Sequence, residues 1–344
     1  MKKMNKILMV MFGTMLFTTS AYSEETLSEE GKEKNFQLSL VSPIGTNGVS
    51  SGQTTNKVSF NIVGGYSFAN KIFEFSSVYN VNLNHTSGFQ FAGVMNYTNE
   101  SRKAAQFAGV TNISQSGKTP FQFAGVLNVA DKVTGLQFAG VLNVADNVSG
   151  LQFTGLVNVA KDVRGVQFGI VNYSDTCSSG VPIGIFNIVR HGGKQEFEVG
   201  LSDALNTYTS FKLGVDRLYT IFSAGVNFLH SEPIYGVGMG FGTDILWKKT
   251  GWANQIEAVG YYVTEDGKFQ TGTNVLAQVK FTFSKQIRTH FKVFAGPTLN
   301  ITVSDHVNSE TGVTGSSLKP YSIFHTNGNT AVNGWVGFMA GVRF

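Results

Sequence analysis

Apolar and polar side chains alternate one by one through much of this chain, which is the period of a β-strand. The alternation is clearest in residues 135–145. If that segment is one strand, its bulky apolar face consists of Leu136, Phe138, Gly140, Leu142 and Val144. The opposite face is small and carries two amides, and it consists of Gln137, Ala139, Val141, Asn143 and Ala145.

Residues 88–190 contain seven copies of this unit, spaced by 14 to 16 residues and separated by short polar turns. Such regular repetition indicates repeated supersecondary units. In the last copy Pro182 stands in place of the glutamine. The glutamine recurs at Gln90, Gln106, Gln122, Gln137, Gln152 and Gln167, and the asparagine at Asn96, Asn112, Asn128, Asn143, Asn158, Asn172 and Asn187.

Segments on both sides of the repeats alternate in the same way without repeating. Three strands are predicted before the repeats, at residues 36–44, 57–67 and 71–84. Together with one strand per repeat and the eight that follow, the total is about 18, an even number as in bacterial membrane barrels. The later eight are predicted at 195–202, 207–215, 218–229, 234–247, 252–263, 271–283, 287–303 and 333–344.

Two architectures fit this pattern. In a transmembrane barrel the bulky face meets lipid and the amides line the interior; in a parallel solenoid the bulky face forms the core and identical residues stack in ladders. The unit is nearly palindromic about its central glycine, which suits antiparallel pairing of like residues. We therefore expect an all-β fold, a transmembrane antiparallel barrel of about 18 strands over residues 36–344. The alternative is a smaller barrel plus a parallel solenoid formed by the repeats.

The N-terminus predicts export. Lys2, Lys3 and Lys6 precede an apolar stretch at 7–17 that is too short to span a bilayer, and small residues follow at Ala21 and Ser23. This is the layout of a secretory signal peptide. We expect a signal peptide at residues 1–23 and a periplasmic segment at 24–35 before the barrel.

The last strand resembles the C-terminal insertion signal of bacterial outer-membrane barrels, since apolar residues alternate up to a terminal aromatic at Phe338, Ala340, Val342 and Phe344. The repeats, with residues 41–48 before them and 182–189 at their end, resemble bacterial surface-repeat proteins. The resemblance implies a location in the outer membrane with surface-exposed loops and insertion through Phe344. It also implies outer-membrane lipid as a partner, and the family has no assigned chemistry to transfer.

The composition argues against several classes of function. A net charge of +4 spread over 344 residues does not favour nucleic acid. The lone Cys177 allows no disulfide, and no two of the six histidines have metal-ligand spacing, so no metal or other cofactor is expected. A faint His-x-Ser arrangement at His85 and Ser87 could suit an outer-membrane hydrolase. A solvated turn explains it better, and we expect no enzyme.

The interior of the proposed barrel suggests the function. The repeat amides would face the lumen together with a basic stripe of Lys280, Arg288, His290 and Lys292. An 18-stranded barrel is wide enough for an aqueous channel, and such a stripe favours polar or anionic solutes. The leading hypothesis is therefore a porin-like channel. The alternative is a surface-exposed repeat protein that acts in adhesion or partner binding, through the loop at 304–332 or a solenoid face.

Overall fold

The computed structural model describes residues 31–230, 232–247, 251–265, 272–307, 312–318, 321–326 and 329–344. The predicted signal peptide and residues 24–30 of the predicted periplasmic segment lie outside the described residues. The described chain is all-β and has two parts, a parallel solenoid over residues 32–191 and an antiparallel barrel over residues 194–343. Among the described residues, no helix is long and apolar enough to cross a bilayer.

The first coil of the solenoid is long and includes a 3-10 helix at Gly48–Gln53. The later coils consist of strands joined by corners and polar turns. Its strands are β1 (Lys32–Val41), β2 (Ile44–Gly45), β3 (Thr54–Ser67), β4 (Ala69–Ser76), β5 (Tyr79–Thr86), β6 (Phe89–Ala92), β7 (Met95–Arg102), β8 (Ala105–Ala108), β9 (Thr111–Ala124), β10 (Leu127–Ala139), β11 (Leu142–Val148), β12 (Leu151–Thr154), β13 (Val157–Val163), β14 (Val166–Phe168), β15 (Val171–Thr176), β16 (Val181–Ile183) and β17 (Phe186–His191).

Equivalent residues of successive repeats pair in parallel, in register. β11 pairs with β13 so that Asn143 lies opposite Asn158, and β12 pairs with β14 so that Gln152 lies opposite Gln167. Each coil of about 15 residues therefore contributes two strands, one with the glutamine and one with the asparagine. A sequence that repeats in the same direction finds its own copy one coil away, which is the pairing of a solenoid.

The glycine in the middle of each repeat is a corner and not the centre of a strand. β10 ends at Ala139 and β11 begins at Leu142, so Gly140 and Val141 form the bend between them. Val141 is 41% exposed, although strict alternation predicts that it points inward beside Asn143. A Cβ on Gly140 would lie 2.3 Å from the carbonyl oxygen of Gly125, the corner of the preceding coil. Only glycine allows the coils to stack this closely.

In the described part of residues 194–343, eight long antiparallel strands close into a barrel, because β18 pairs with both β19 and β26. The short β25 adds to the edge of β26. The strands are β18 (Lys194–Ser202), β19 (Thr207–Val215), β20 (Leu218–Asn227), β21 (Ile234–Trp247), β22 (Trp252–Thr264), β23 (Asn274–Arg288), β24 (Phe291–Ser304), β25 (Phe324–Thr326) and β26 (Ala331–Arg343).

The barrel wall is apolar outside and polar inside. Along β23, Gln278, Lys280 and Thr282 are buried in the interior, whereas Phe281 and Phe283 are exposed on the outer wall. The other strands follow the same rule, with exposed Phe197, Phe211, Val237, Ile256, Leu299 and Phe338. The predicted alternation of the later eight strands is thus confirmed, and their bounds differ from the prediction by a few residues.

The single antiparallel barrel of about 18 strands does not form. The three strands predicted before the repeats belong to the solenoid, and the segment 71–84 is divided between β4 and β5. The alternative of a smaller barrel plus a solenoid agrees with the topology, but the solenoid reaches beyond the repeats to Lys32. Its core is also the reverse of the expected one, because the amide face lies inside and the bulky face outside.

The last coil of the solenoid packs against the outer wall of the barrel at β19 and β20. The side chain of Asn187 donates to the Thr220 hydroxyl at 3.0 Å, and this hydroxyl donates to the Gly184 carbonyl at 2.8 Å. The rings of Phe186 and Phe222 stack with 5.5 Å between their centroids. Thr220 points outward from the barrel, and the solenoid buries it completely.

Candidate functional site

The repeat glutamines form one continuous hydrogen-bonded ladder inside the solenoid. Gln106 Nε2 donates to Gln90 Oε1 at 2.8 Å, and Gln122 Nε2 donates to Gln106 Oε1 at 2.7 Å. Gln137, Gln152 and Gln167 continue the same pattern at 2.7 to 2.8 Å. Each of the four inner amides, Gln106 to Gln152, therefore finds both a donor and an acceptor in its copies one coil away, as buried polar groups require.

The asparagines form a second ladder that runs in the opposite direction. Asn143 Nδ2 donates forward to Asn158 Oδ1 at 3.1 Å, and Asn158 Nδ2 donates forward to Asn172 Oδ1 at 2.9 Å. The second hydrogen of each amide from Asn96 to Asn172 bonds a strand carbonyl just before the corner of the next coil, as from Asn143 to Phe153 O at 2.8 Å. The asparagine thus holds the bend that the glycine permits.

The glutamine ladder ends differently on its two sides. Glu74 occupies the ladder position before Gln90 and accepts from Gln90 Nε2 at 2.9 Å and from Asn82 Nδ2 at 2.7 Å. Burial raises the pKa of the Glu74 carboxyl to about 7, against the lowering effect of these two hydrogen bonds. At the other end Pro182 has no side-chain donor, and Gln167 Oε1 has no hydrogen-bond partner among the described residues.

These contacts correct the predicted role of the amides. They point inward, but into the closed core of the solenoid and not toward the lumen of a barrel. Their side chains are at most 1% exposed, so water does not line them. The correction applies to Gln90, Gln106, Gln122, Gln137, Gln152, Gln167, Asn96, Asn112, Asn128, Asn143, Asn158, Asn172 and Asn187.

A network of charged side chains fills the barrel interior instead. Lys212 Nζ lies 2.6 Å from Glu198 Oε2 and 2.5 Å from Glu257 Oε1, and all three side chains are fully buried. Arg343 Nε lies 2.5 Å from Glu198 Oε2, and the Tyr219 hydroxyl donates to Glu257 Oε1 at 2.8 Å. The network ties together β18, β19, β20, β22 and β26, which lie on several sides of the barrel.

A second group of ion pairs lies near the end of the barrel where the short turns are. Lys194 Nζ lies 2.6 Å from Asp244 Oδ2, and Lys292 Nζ lies 2.5 Å from Glu196 Oε2. Lys280 is buried deeper, with its ammonium 4.7 Å from the ring centre of Tyr208. The basic and acidic groups of the interior are thus arranged to neutralise one another.

The predicted basic stripe therefore does not form. Lys280 and Lys292 do face the interior, but the Lys292 ammonium is paired with Glu196 and Lys280 lies against the Tyr208 ring. Arg288 and His290 are exposed at the turn between β23 and β24, outside the interior. The predicted stripe comprises two neighbouring strands and their turn, and it leaves out the acidic residues that other strands supply.

The described part of the loop between β24 and β26 closes the other end of the barrel. Leu318 is 1% exposed and belongs to the interior apolar cluster that contains Tyr219 and Trp335. Next to it, Ser316 Oγ donates to Glu265 Oε1 at 2.6 Å, and the Ser317 amide donates to Glu265 Oε2 at 3.0 Å. Residues 315–318 of this predicted surface loop are thus folded into the barrel mouth, whereas residues 321–326 are exposed.

No family model matches the chain, and no curated protein or solved structure matches it. Its function must therefore be argued from its own geometry.

One cleft of the solenoid holds groups that could carry chemistry. His85 and Ser87 line a cleft of about 590 Å³ at the start of the solenoid, together with Glu33, Lys71 and Arg102. Lys71 Nζ lies 2.8 Å from Glu33 Oε2, and Arg102 Nε lies 2.9 Å from Glu100 Oε2. Within the described residues, no group of three or more His, Cys, Asp or Glu side chains is arranged to hold a metal ion.

Sequence reasoning missed the acidic members of the barrel network and Arg343. One signal was available, because Lys194, Glu196 and Glu198 alternate on one face of a single strand. Three charges on the face opposite Phe197 and Val199 indicate a polar interior. The partner of Glu198 could not be found in this way, since Arg343 lies 145 residues further along the chain.

Proposed function

We propose that the C-terminal barrel anchors this protein in a bacterial outer membrane and holds the solenoid beside it. The observation that carries the proposal is the distribution of polarity in a closed sheet. Its outer wall exposes large apolar side chains such as Phe283 and Val237, at 55% and 68%, while Lys212, Glu198 and Glu257 are completely buried inside. Water favours the opposite arrangement, and lipid favours this one.

The interior supports an anchor and not a solute channel. An eight-stranded barrel has an interior just wide enough for side chains to fill. Here ion pairs occupy it near the short turns, and Tyr261, Trp335 and Leu318 pack within it toward the other end. A porin-like pathway would need these groups to leave, and removing one partner of a buried pair costs about 3–5 kcal/mol. The porin-like channel is therefore not favoured.

The test compares two arginine substitutions on the outer wall. Phe281 lies halfway along β23, and Ile287 lies next to its short-turn end; both are exposed. In a bilayer, Phe281→Arg should cost about 2–4 kcal/mol of folding free energy at the midplane, whereas Ile287→Arg should cost about 0–1 kcal/mol near the interface. Folding into phospholipid vesicles measures both, from the fraction that migrates as the compact band on an unheated gel.

The opposite result of this comparison would contradict the proposed anchor. If both substitutions are tolerated equally, the wall does not contact hydrocarbon, and the proposed anchor is wrong. Planar-bilayer recording of the same folded protein adds a check on the interior. We expect no conductance steps. Stepwise conductance like that of a porin would instead support the channel hypothesis.

A further inference from the structure

One edge of the solenoid is a continuous row of exposed aliphatic side chains. Every corner from the fourth strand onward places one such residue at its tip, directly after the corner glycine or its equivalent. Their side chains are between 37% and 46% exposed, a high value for an unbroken row of this length. The row consists of Val78, Val94, Val110, Val126, Val141, Leu156, Ile170 and Ile185. We call it the apolar edge.

The outer faces next to the apolar edge are apolar as well. A ladder of phenylalanine rings runs along one of them, with centroid distances of 4.8 Å between Phe91 and Phe107 and 5.2 Å between Phe138 and Phe153. An open trough of about 650 Å³ follows this ladder from Phe75 to Phe138. The exposed apolar surface is therefore much larger than the row of corner residues alone.

All ion pairs within residues 31–193, a fully described stretch, lie on the opposite edge of the solenoid. They are at or beside the polar turns that separate the repeats. The pairs are Glu33 with Lys57 and Lys71, Glu100 with Arg102, Asp131 with Lys132, Asp146 with Lys161, Asp162 with Arg164, and Asp175 with Arg190. We call this the polar edge. The solenoid is thus amphipathic across its width and uniform along its length.

The contact with the barrel fixes the positions of the polar edge and the apolar edge along the barrel axis. On the polar edge, the Ser179 carbonyl accepts from the guanidinium of Arg217, which lies in the short turn between β19 and β20. Beside the apolar edge, Phe186 stacks on Phe222, halfway along β20. The five residue steps from Arg217 to Phe222 rise about 17 Å along the strand, or about 13 Å along the barrel axis for strands tilted by about 40° to it. Half of a hydrocarbon core is about 15 Å.

We propose that the apolar edge is immersed in the acyl chains of one membrane leaflet, the leaflet at the short-turn end of the barrel, while the polar edge lies at the water interface. The solenoid is then a membrane-embedded β-structure that does not cross the bilayer. This inference rests on the proposed function, because the outer wall of the barrel defines the membrane level.

Continuity with the barrel wall favours lipid over a second copy of the chain. Phe186 directly follows Ile185, the last residue of the apolar edge, and stacks on Phe222 of the outer wall, so one medium covers both surfaces. No charged side chain interrupts residues 89–97, 105–114, 121–130 or 136–145, which form these faces. Such an uncharged, apolar surface is more stable in hydrocarbon than in water. The strand backbones are paired within the solenoid, as hydrocarbon requires.

The test measures which medium contacts single labels. Cysteines are introduced in a Cys177→Ser background at Val126 and Val141 on the apolar edge, at Thr134 and Ser149 on the polar edge, and at Phe281 on the barrel. The full chain is spin-labelled and folded into phosphatidylethanolamine and phosphatidylglycerol vesicles. Collision rates are then measured with oxygen, which concentrates in lipid, and with a water-soluble nickel complex.

We expect labels at Val126, Val141 and Phe281 to collide with oxygen and to lose nickel accessibility, and labels at Thr134 and Ser149 to collide with nickel. If Phe281 is in lipid but Val126 is accessible to nickel, the inference fails and the anchor stands. If Phe281 itself collides with nickel, the anchor fails. If Val126 is shielded from both reagents, and dipolar broadening between labelled chains shows it next to a second chain, a dimer covers the edge and the lipid proposal is overturned.

Discussion

The buried amides of the solenoid act as paired ladders of opposite polarity. Glutamines donate toward the start of the chain, as from Gln137 to Gln122, and asparagines donate toward its end, as from Asn143 to Asn158. The side-chain dipoles of the two ladders therefore oppose each other and cancel along the axis. A stack of identical amides can be extended in this way without accumulating a large dipole.

Removing one amide from the ladder should destabilise the solenoid more than removing an exposed one. In Gln137→Ala, Gln122 Oε1 and Gln152 Nε2 lose their partners, each at a cost of about 1–3 kcal/mol. Gln115→Ala is the matched control, since the Gln115 side chain is exposed on β9. Amide hydrogen exchange of β10 and β12 measures the effect; equal protection in both variants would contradict the ladder.

Glu74 makes the stability of the first coils depend on pH. Its folded-state pKa of about 7 lies above the ordinary value of 4.5, so the protonated form is favoured by folding. The stabilisation is complete below pH 4.5 and is lost as the pH rises through 7, by about 3 kcal/mol at most. Glu74→Gln supplies a neutral amide and should remove this dependence. Exchange protection of β4 and β6 is compared between the two proteins at pH 5 and pH 8, and a constant difference would contradict the prediction.

The corner is the element that separates this fold from a long strand. Each repeat holds a short glutamine strand and a longer asparagine strand, and the bend between them needs glycine because the preceding coil lies directly beneath it. The bend also turns the following aliphatic residue outward. Without it, the same residues would alternate along one straight crossing of a barrel.

Gly140→Ala should therefore disrupt the stack locally. Its Cβ would lie 2.3 Å from Gly125 O, a backbone atom held in the adjacent coil, so the coils must separate. We expect a loss of about 1–3 kcal/mol, similar to other strained packing. Val141→Ala is the control, because its side chain is exposed at the same corner. In detergent, the midpoint of urea unfolding of the solenoid should be clearly lower for Gly140→Ala than for Val141→Ala. Equal midpoints would contradict the close packing of the corners.

At the scale of the whole molecule, the solenoid and the barrel obey one rule, with bulky apolar residues outside and polar residues inside. They are joined where the asparagine ladder ends, because the barrel supplies the acceptor that Asn187 would lack at the end of a free solenoid. The barrel wall also covers the last coil with Leu213 and Val215, both 8% exposed. The barrel thus serves as the cap that a repeat structure needs.

Thr220→Val keeps the shape of this joint but removes its hydroxyl. Asn187 then loses one of its two acceptors and Gly184 O keeps only the bond from Asn187 Nδ2, at a cost of about 1–3 kcal/mol. We expect faster amide exchange in β16 and β17 and an unchanged compact gel band, because the barrel itself is not altered. Thr209→Val, an exposed outward position on the neighbouring strand, is the control. If exchange is unchanged in both variants, the Thr220 hydroxyl does not join the solenoid to the barrel.

The sequence predicted the barrel strands well and the repeats poorly, for a physical reason. The eight barrel strands are long, uninterrupted and bounded by polar turns, so alternation alone locates them. The repeat unit is almost palindromic, and it alternates identically whether neighbouring copies run parallel or antiparallel. The corner residues Gly140 and Val141 fit the alternating pattern, so in the sequence they look like two further positions of one strand. The interior charge network escaped because it joins strands far apart in sequence, such as Glu198 and Arg343.

The most direct test of the parallel stack is a disulfide between equivalent polar turns. Thr134 follows Val133, which pairs with Val148, and Ser149 N donates to Val133 O at 2.9 Å. In a Cys177→Ser background, Thr134→Cys with Ser149→Cys should therefore form an intramolecular disulfide in the folded protein, since its Cα atoms must lie within about 7 Å. In an antiparallel barrel these two turns would lie on opposite sides of the membrane, about 25 Å apart. Efficient cross-linking is expected, and its absence in the compact, folded band would contradict the inward-amide solenoid.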